Sequence, residues 1–295
     1  MVPLGKKSAL AAAATAAAVM FLPQTASARF EAKMYAVTVW NAGCAGSTRG
    51  TWDDMVDAWY DEITDAGFSI FGWCVSGHCD DAFSRSGAAV DGSIANSWFA
   101  DASVVSFGND TPHLDAGDAV MLGMHGADSS GVWSGSVRVD EAGAGDCSIR
   151  RDEMQLGDSD LEFLHLSSCN SMDANQWASW WQAFSRVHQV DGFHGFMWIG
   201  SGLISNYSDF ADDAFGGSIS DAWLDNHYVP NVSGSDDQCP VAYAVGANEA
   251  DATNRLFNER YDNVFSDPSA KYWAAMYIKG CTPKGETKIG SDKSS

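Results

Sequence analysis

The sequence predicts an α/β protein built around a mainly parallel sheet, and three observations carry that expectation. Residues 119–124 (Ala-Val-Met-Leu-Gly-Met) are an apolar run of strand length, the pattern of a strand covered on both faces, and the Leu-rich 161–166 (Leu-Glu-Phe-Leu-His-Leu) reads as a second buried strand. Segments of helical spacing, roughly 10 to 15 residues long, alternate with such runs. The composition also supports a packed core: 45% of the 295 residues are hydrophobic and 19% charged, with 12 Trp and 15 Phe.

In chain order, 1–28 reads as a secretory signal. Lys6 and Lys7 start it, 8–22 is uncharged and Ala-rich, and Ala26-Ser27-Ala28 is a small-x-small cleavage site. The uncharged stretch stops at Pro23, short of the roughly 20 apolar residues of a bilayer span. The expected product is an exported chain without stable membrane insertion, with 29–295 as a single α/β domain. Tyr-Ala-Val-Thr-Val-Trp at 35–40 is β-branched and aromatic and reads as a strand. Thr51 is placed to cap a helix over 52–66, where Met55, Ala58, Trp59 and Ile63 share a side and Gly67 ends it. A strand is expected at 69–75, then a Ser-, Gly- and Asp-rich irregular insertion over 80–117.

The strand at 119–124 runs into His125-Gly126. A hairpin arm at 132–139 and a second irregular insertion at 140–159 precede the strand at 161–166, which runs into Ser167-Ser168-Cys169. A helix opening at Asp173 or Asn175 is expected to reach about His188. Its residues Trp177, Trp180, Trp181, Phe184 and Val187 have the spacing of a core-facing stripe, which outweighs a carbohydrate platform. The pattern then predicts a strand at 192–200, helices at 207–215 and 218–228, a strand at 241–245, a helix at 248–260 and a strand at 272–278. There is no internal repeat or Pro-rich linker. Sequons at Asn109, Asn206 and Asn231 mark possible surface loops.

Lys and Arg total 17 against 39 Asp and Glu, a net charge of −22. So negative a surface repels phosphate backbones, which argues against a nucleic-acid partner and hints at basic substrates. The chain has 7 cysteines: Cys44, Cys74, Cys79, Cys147, Cys169, Cys239 and Cys281. In an exported protein six can pair, in connectivities that spacing leaves open, and one thiol remains. Cys74 and Cys79 flank Val-Ser-Gly-His78, which raises a metal site. No second Cys or His pair stands at a matching distance, so disulfide bonding is expected there, and no metal or cofactor is implied.

In open α/β sheets, functional groups sit just past the carboxyl ends of strands, where His125 and Cys169 both fall. A thiol becomes a nucleophile when an imidazole takes its proton. Glycine after the histidine lets a substrate approach, and the N–H groups of Gly126 and Cys169 can share a developing oxyanion. The bland alternative is a packed histidine and a structural or bridged cysteine. His194 also precedes a glycine but lies in a later strand, and His165 reads as a packed residue.

At these residues the sequence resembles the caspase-like superfamily of cysteine peptidases (clan CD), which includes caspases, legumain, gingipains, clostripain and separase. The resemblance rests on Ala119-Val-Met-Leu-Gly-Met-His125-Gly126 and Leu161-Glu-Phe-Leu-His-Leu-Ser-Ser168-Cys169. It continues through Gly192-Phe-His-Gly195-Phe-Met-Trp198, Asp209-Phe-Ala-Asp-Asp-Ala-Phe and Gly217-Ser-Ile-Ser-Asp-Ala222-Trp, as in caspase-like domains of the CHAT type. It covers about 119–226; the first strand and helix match only loosely. It implies a three-layer α/β/α sandwich with Cys169 as nucleophile, His125 as general acid/base and Gly126 and Cys169 as the oxyanion hole. Ser168, Trp198 and Asp128 are implied more weakly as substrate-binding residues. The expected activity is a secreted thiol hydrolase, an endopeptidase acting on a peptide or protein substrate. The alternatives are a non-catalytic binding module of the same fold, with Cys169 bridged, or a thiol acyltransferase or transpeptidase.

Overall fold

The computed structural model describes residues 30–289, apart from 42, 45, 71–72 and 141–146. The signal expected at 1–28 lies outside the described residues, as does part of the 140–159 insertion. Strand β1, Glu31–Ala36, starts earlier than the 35–40 run suggested. Lys33 disguises it: the alkyl stem lies along Gly117 and the ammonium reaches the Pro112 carbonyl at 3.2 Å, so a charged residue fills a buried strand position. Helix α1, Trp52–Ile63, turns Trp52, Met55, Val56, Trp59 and Ile63 inward. Thr51 does not cap it; its φ is 80° and its side chain makes no capping bond. The expected strand at 69–75 is instead a hairpin of β2, Phe68–Ile70, and β3, Trp73–Ser76, apart from the main sheet and exposed.

Strand β4, Ser84–Val90, falls inside the stretch expected to be irregular. Its Ser, Gly and Ala side chains give no hydrophobic period, and backbone pairing with β1 is what orders it. Next come β5, Ala119–Gly123, and a small sheet of β6, Gly126–Asp128, β7, Trp133–Ser136, and β8, Ser148–Arg150. Strand β9, Phe163–Ser167, is followed by the single-turn helix α2, Trp177–Trp180, and a 3-10 turn over Trp181–Ala183. The long helix expected to His188 does not form, because the N–H groups of Ser185, Arg186 and Val187 all turn to the Leu156 carbonyl.

Strand β10, Gln189–His194, comes earlier than expected and ends where Gly195 takes a φ of 74°. Helices α3, Ile204–Gly216, and α4, Ile219–His227, follow, the second capped by Ser218 Oγ accepting from the Asp221 N–H. Strand β11, Val229–Ser233, leads to β12, Asp236–Gly246, which is longer than the apolar run within it. Helix α5, Glu249–Asn258, is capped by Asn248, and β13, Tyr272–Tyr277, closes the order. The sequon asparagines Asn206 and Asn231 thus lie in α3 and β11, not in loops.

The main sheet runs β4-β1-β5-β9-β10-β12, with β11 and β13 along different parts of the outer edge of β12. From β4 to β10 the neighbours are parallel, and β12 is antiparallel to β10. Alternation along β5 and β9 divides the core. Ala119, Met121 and Phe163 face helices α1, α3, α4 and α5, whereas Val120, Leu122, Leu164 and Leu166 face the other way. That second face is covered by β6–β8, α2 and 3-10 turns carrying Phe99, Leu114, Trp133 and Trp180. A second layer of long helices, which a full α/β/α sandwich would have, is not present among the described residues. Trp180 is buried and Trp177 and Trp181 pack beside it, as the stripe predicted.

Three disulfides join Cys44 to Cys147, Cys74 to Cys79 and Cys239 to Cys281. Cys169 is the free thiol. Among the described residues no helix is long and apolar enough to cross a membrane.

Candidate active site

Strands β5 and β9 lie side by side and parallel, paired from Ala119 with Phe163 to Gly123 with Ser167 at a constant offset of 44 residues. His125 and Cys169 have that same offset, each two residues past the last pair. Two strand ends that the sequence marks separately therefore meet at one edge of the sheet. They line a cleft of about 360 Å³ whose walls include Arg49, Trp52, Met197, Trp198 and Lys284.

Gly126 brings the two ends this close. A Cβ there would lie 2.2 Å from Ser168 Oγ, 2.3 Å from the Cys169 carbonyl and 2.8 Å from Trp133 Nε1. These are largely fixed atoms, so Gly126→Ala is expected to cost about 1 to 2 kcal/mol of stability, read from the midpoint of urea unfolding. An unchanged midpoint would show that the strand ends are not packed against each other in this way.

His125 sits between two indoles, its ring 4.7 Å from Trp40 and 5.3 Å from Trp52 by centroids. Its Nε2 lies 2.8 Å from the Ser47 carbonyl. A carbonyl oxygen only accepts, so Nε2 carries a proton and Nδ1 is the nitrogen free to take one. The thiol of Cys169 is directed elsewhere, to the Met197 carbonyl at 3.7 Å. Burial pushes this thiol up from its ordinary value, against the opposing effects of its contact with Met197, its own backbone N–H and Arg49, while Asp173 adds to the rise. The thiol and the imidazole share the cleft, with the thiol donating to the Met197 carbonyl and not to the imidazole.

Trp52 connects the cleft to the sheet. Its Nε1 donates to the Ser167 carbonyl at 3.1 Å and to Ser167 Oγ at 2.9 Å, and that hydroxyl lies 2.6 Å from Tyr207 Oη. Two of the disulfides fasten the walls. Cys44–Cys147 ties down the segment that carries Ser47 and Arg49. Cys239–Cys281 brings round the segment in which the Lys284 carbonyl accepts from the Phe196 N–H at 3.0 Å. Gly195 permits that approach, since a Cβ there would lie 2.6 Å from Pro283.

Of the weaker substrate-binding expectations, Trp198 lines the cleft, its N–H donating to Gln238 Oε1 at 2.8 Å and Lys284 Nζ lying 5.4 Å from its ring. Ser168 does not line it: it is fully buried behind Gly126. Asp128 turns away, accepting from the Gly131 N–H at 2.6 Å in the β6–β7 turn. His165 and His194 are buried partners of Asp191 and Asp173, at 2.9 and 3.2 Å. Arg49, Trp52 and Lys284 were not singled out from the sequence, where no local signal separates them from other loop and helix residues. Their charge also opposes the bulk: in a protein of net charge −22 the cleft is lined, among the described residues, by two cations and no carboxylate.

No curated protein matches the chain. Residues 78–280, which run from the loop ahead of β4 through β13 and hold both His125 and Cys169, match the family described as domain of unknown function DUF6345, and the chain belongs to that family.

Proposed function

We propose that the protein is an exported thiol hydrolase of caspase-like fold, an endopeptidase working through Cys169 and His125. The observation that carries this reading is that the one free cysteine of seven stands in register with a histidine, across adjacent parallel strands, in a shared cleft. The succession of strand, helix and helix after Cys169 supports the caspase-like assignment, and three disulfides suit an oxidising compartment. In the proposed reaction His125 Nδ1 takes the proton from Cys169 and the sulfur attacks the scissile carbonyl carbon. The N–H groups of Gly126 and Cys169 hold the oxyanion. The protonated imidazole then gives its proton to the leaving amine as the C–N bond breaks. Water hydrolyses the thioester and restores the thiol. Arg49 and Lys284 favour substrates with an anionic side chain near the cleaved bond, despite the acidity of the whole surface.

The resting contacts favour a second reading, a non-catalytic module in which the imidazole stays on Ser47 and the thiol stays shielded. Intact-mass analysis after incubation with peptide acyloxymethyl ketones bearing acidic, neutral or basic side chains separates the two. The expected result is one adduct per chain, on Cys169, formed fastest with the acidic peptide. No adduct with any of the three overturns the hydrolase reading in favour of the module.

A further inference from the structure

His78 lies where the Cys74–Cys79 loop meets α1 and α3, at the opposite end of α1 from Trp52. Its side chain is 7% exposed, its ring stacks on Phe215 with centroids 3.6 Å apart, and its backbone N–H donates to the Asp65 carbonyl at 2.8 Å. The imidazole is thus held in place, yet its Nε2 is buried without a hydrogen-bond partner. That nitrogen lies 3.4 Å from Glu62 Oε1 of α1 and 3.9 Å from Asp212 Oδ1 of α3.

A buried nitrogen at ion-pair distance from two carboxylates and hydrogen-bonded to neither is a donor cluster that a shared cation would satisfy. The donor atoms all lie within 4.8 Å of one another. Two zinc–ligand bonds of roughly 2.1 Å at a tetrahedral angle set their donors roughly 3.4 Å apart. The side chain of Asp212 is 69% exposed and leaves an approach from solvent, beside a cavity that Asp213, Asp221 and Asp225 also line.

We propose that Glu62, His78 and Asp212 form a binding site for a first-row divalent transition ion such as Zn²⁺. One imidazole nitrogen and two carboxylates supply its protein ligands. A mixed nitrogen and oxygen donor set favours such an ion over Ca²⁺ or Mg²⁺, which take oxygen ligands. The bound ion ties α1, α3 and the loop entering β4 together, and so stabilises the folded state by mass action. Spacing alone pointed to His78 with Cys74 and Cys79 as the metal question; the disulfide consumes both thiols, and the partners come from helices distant in sequence.

The test is calorimetric titration with ZnCl₂, and separately CaCl₂, near pH 7. It uses the disulfide-bonded full chain carrying Cys169→Ala, which removes the free thiol as a competing ligand. One Zn²⁺ per chain is expected, with affinity lowered at least about tenfold by Asp212→Asn and by His78→Gln. Asp212 is exposed, so its variant should keep the parent's circular dichroism spectrum. Absence of zinc binding in the parent overturns the proposal. So does zinc affinity unchanged in both Asp212→Asn and Glu62→Gln, or displacement of the zinc by equimolar Ca²⁺.

Discussion

Cys169→Ala is expected to abolish peptide hydrolysis while leaving the unfolding transition close to that of the parent. His125→Ala should lower kcat/KM by roughly 10²- to 10⁴-fold, the range for losing a positioned acid or base. Both follow from the shared cleft at the register-matched ends of β5 and β9. Because burial holds the thiol up, His125 Nδ1 must take its proton before attack, with Nε2 remaining on the Ser47 carbonyl. The variants should therefore differ. Cys169→Ala removes both acyl-enzyme and turnover. His125→Ala leaves a thiol that alkylates only at alkaline pH, above the ordinary cysteine value of about 8.5. Steady-state rates and the pH profile of iodoacetamide labelling check this. Hydrolysis retained in Cys169→Ala would sink the mechanism, and identical labelling profiles with and without His125 would remove the imidazole from it.

The second large effect concerns stability. Asp110, Asp115, Asp118 and Glu162 gather where the 80–117 insertion meets the start of β9, and burial is the leading reason that all four carboxyls are raised. Asp110 is pushed up to about 7, with Asp101 and Asp158 adding repulsion after burial. A carboxyl raised in the folded state binds its proton more tightly there than in the unfolded chain. Its stabilising contribution is full below the unfolded value of about 4 and is lost as pH rises through about 7. Between pH 5.5 and 8.5 the wild type should therefore lose about 2 kcal/mol relative to Asp110→Asn, whose amide does not titrate. Measuring against that variant matters because His227, buried and pushed down to about 3, acts in the opposite sense as pH falls below its unfolded value. It does so equally in both proteins. Urea unfolding at the two pH values decides the matter. A difference between variant and wild type that does not change with pH would show that the folded Asp110 carboxyl does not titrate in this range.

The residues that the sequence marked most clearly are those whose burial is complete. β5 and β9 are covered on both faces, so β5 leaves an unbroken apolar run and β9 a Leu- and Phe-rich one broken only by the buried His165, and the ends of those strands locate His125 and Cys169. Helices α1, α3, α4 and α5 bury one stripe each and were legible for the same reason. Where local pattern and burial part company, expectation failed. β4 is an edge strand of small side chains ordered by its partner, β1 hides behind the snorkelling Lys33, and the helix after Cys169 stops because three N–H groups find the Leu156 carbonyl. Composition and spacing by themselves determined an α/β chain with an odd thiol and two chemically apt strand ends. Only the tertiary structure decided that the odd thiol is Cys169, that Arg49 and Lys284 flank it, and that His78 faces Glu62 and Asp212. Periodicity records how each segment is buried, whereas disulfide partners, cleft walls and donor clusters depend on the path that brings distant segments together.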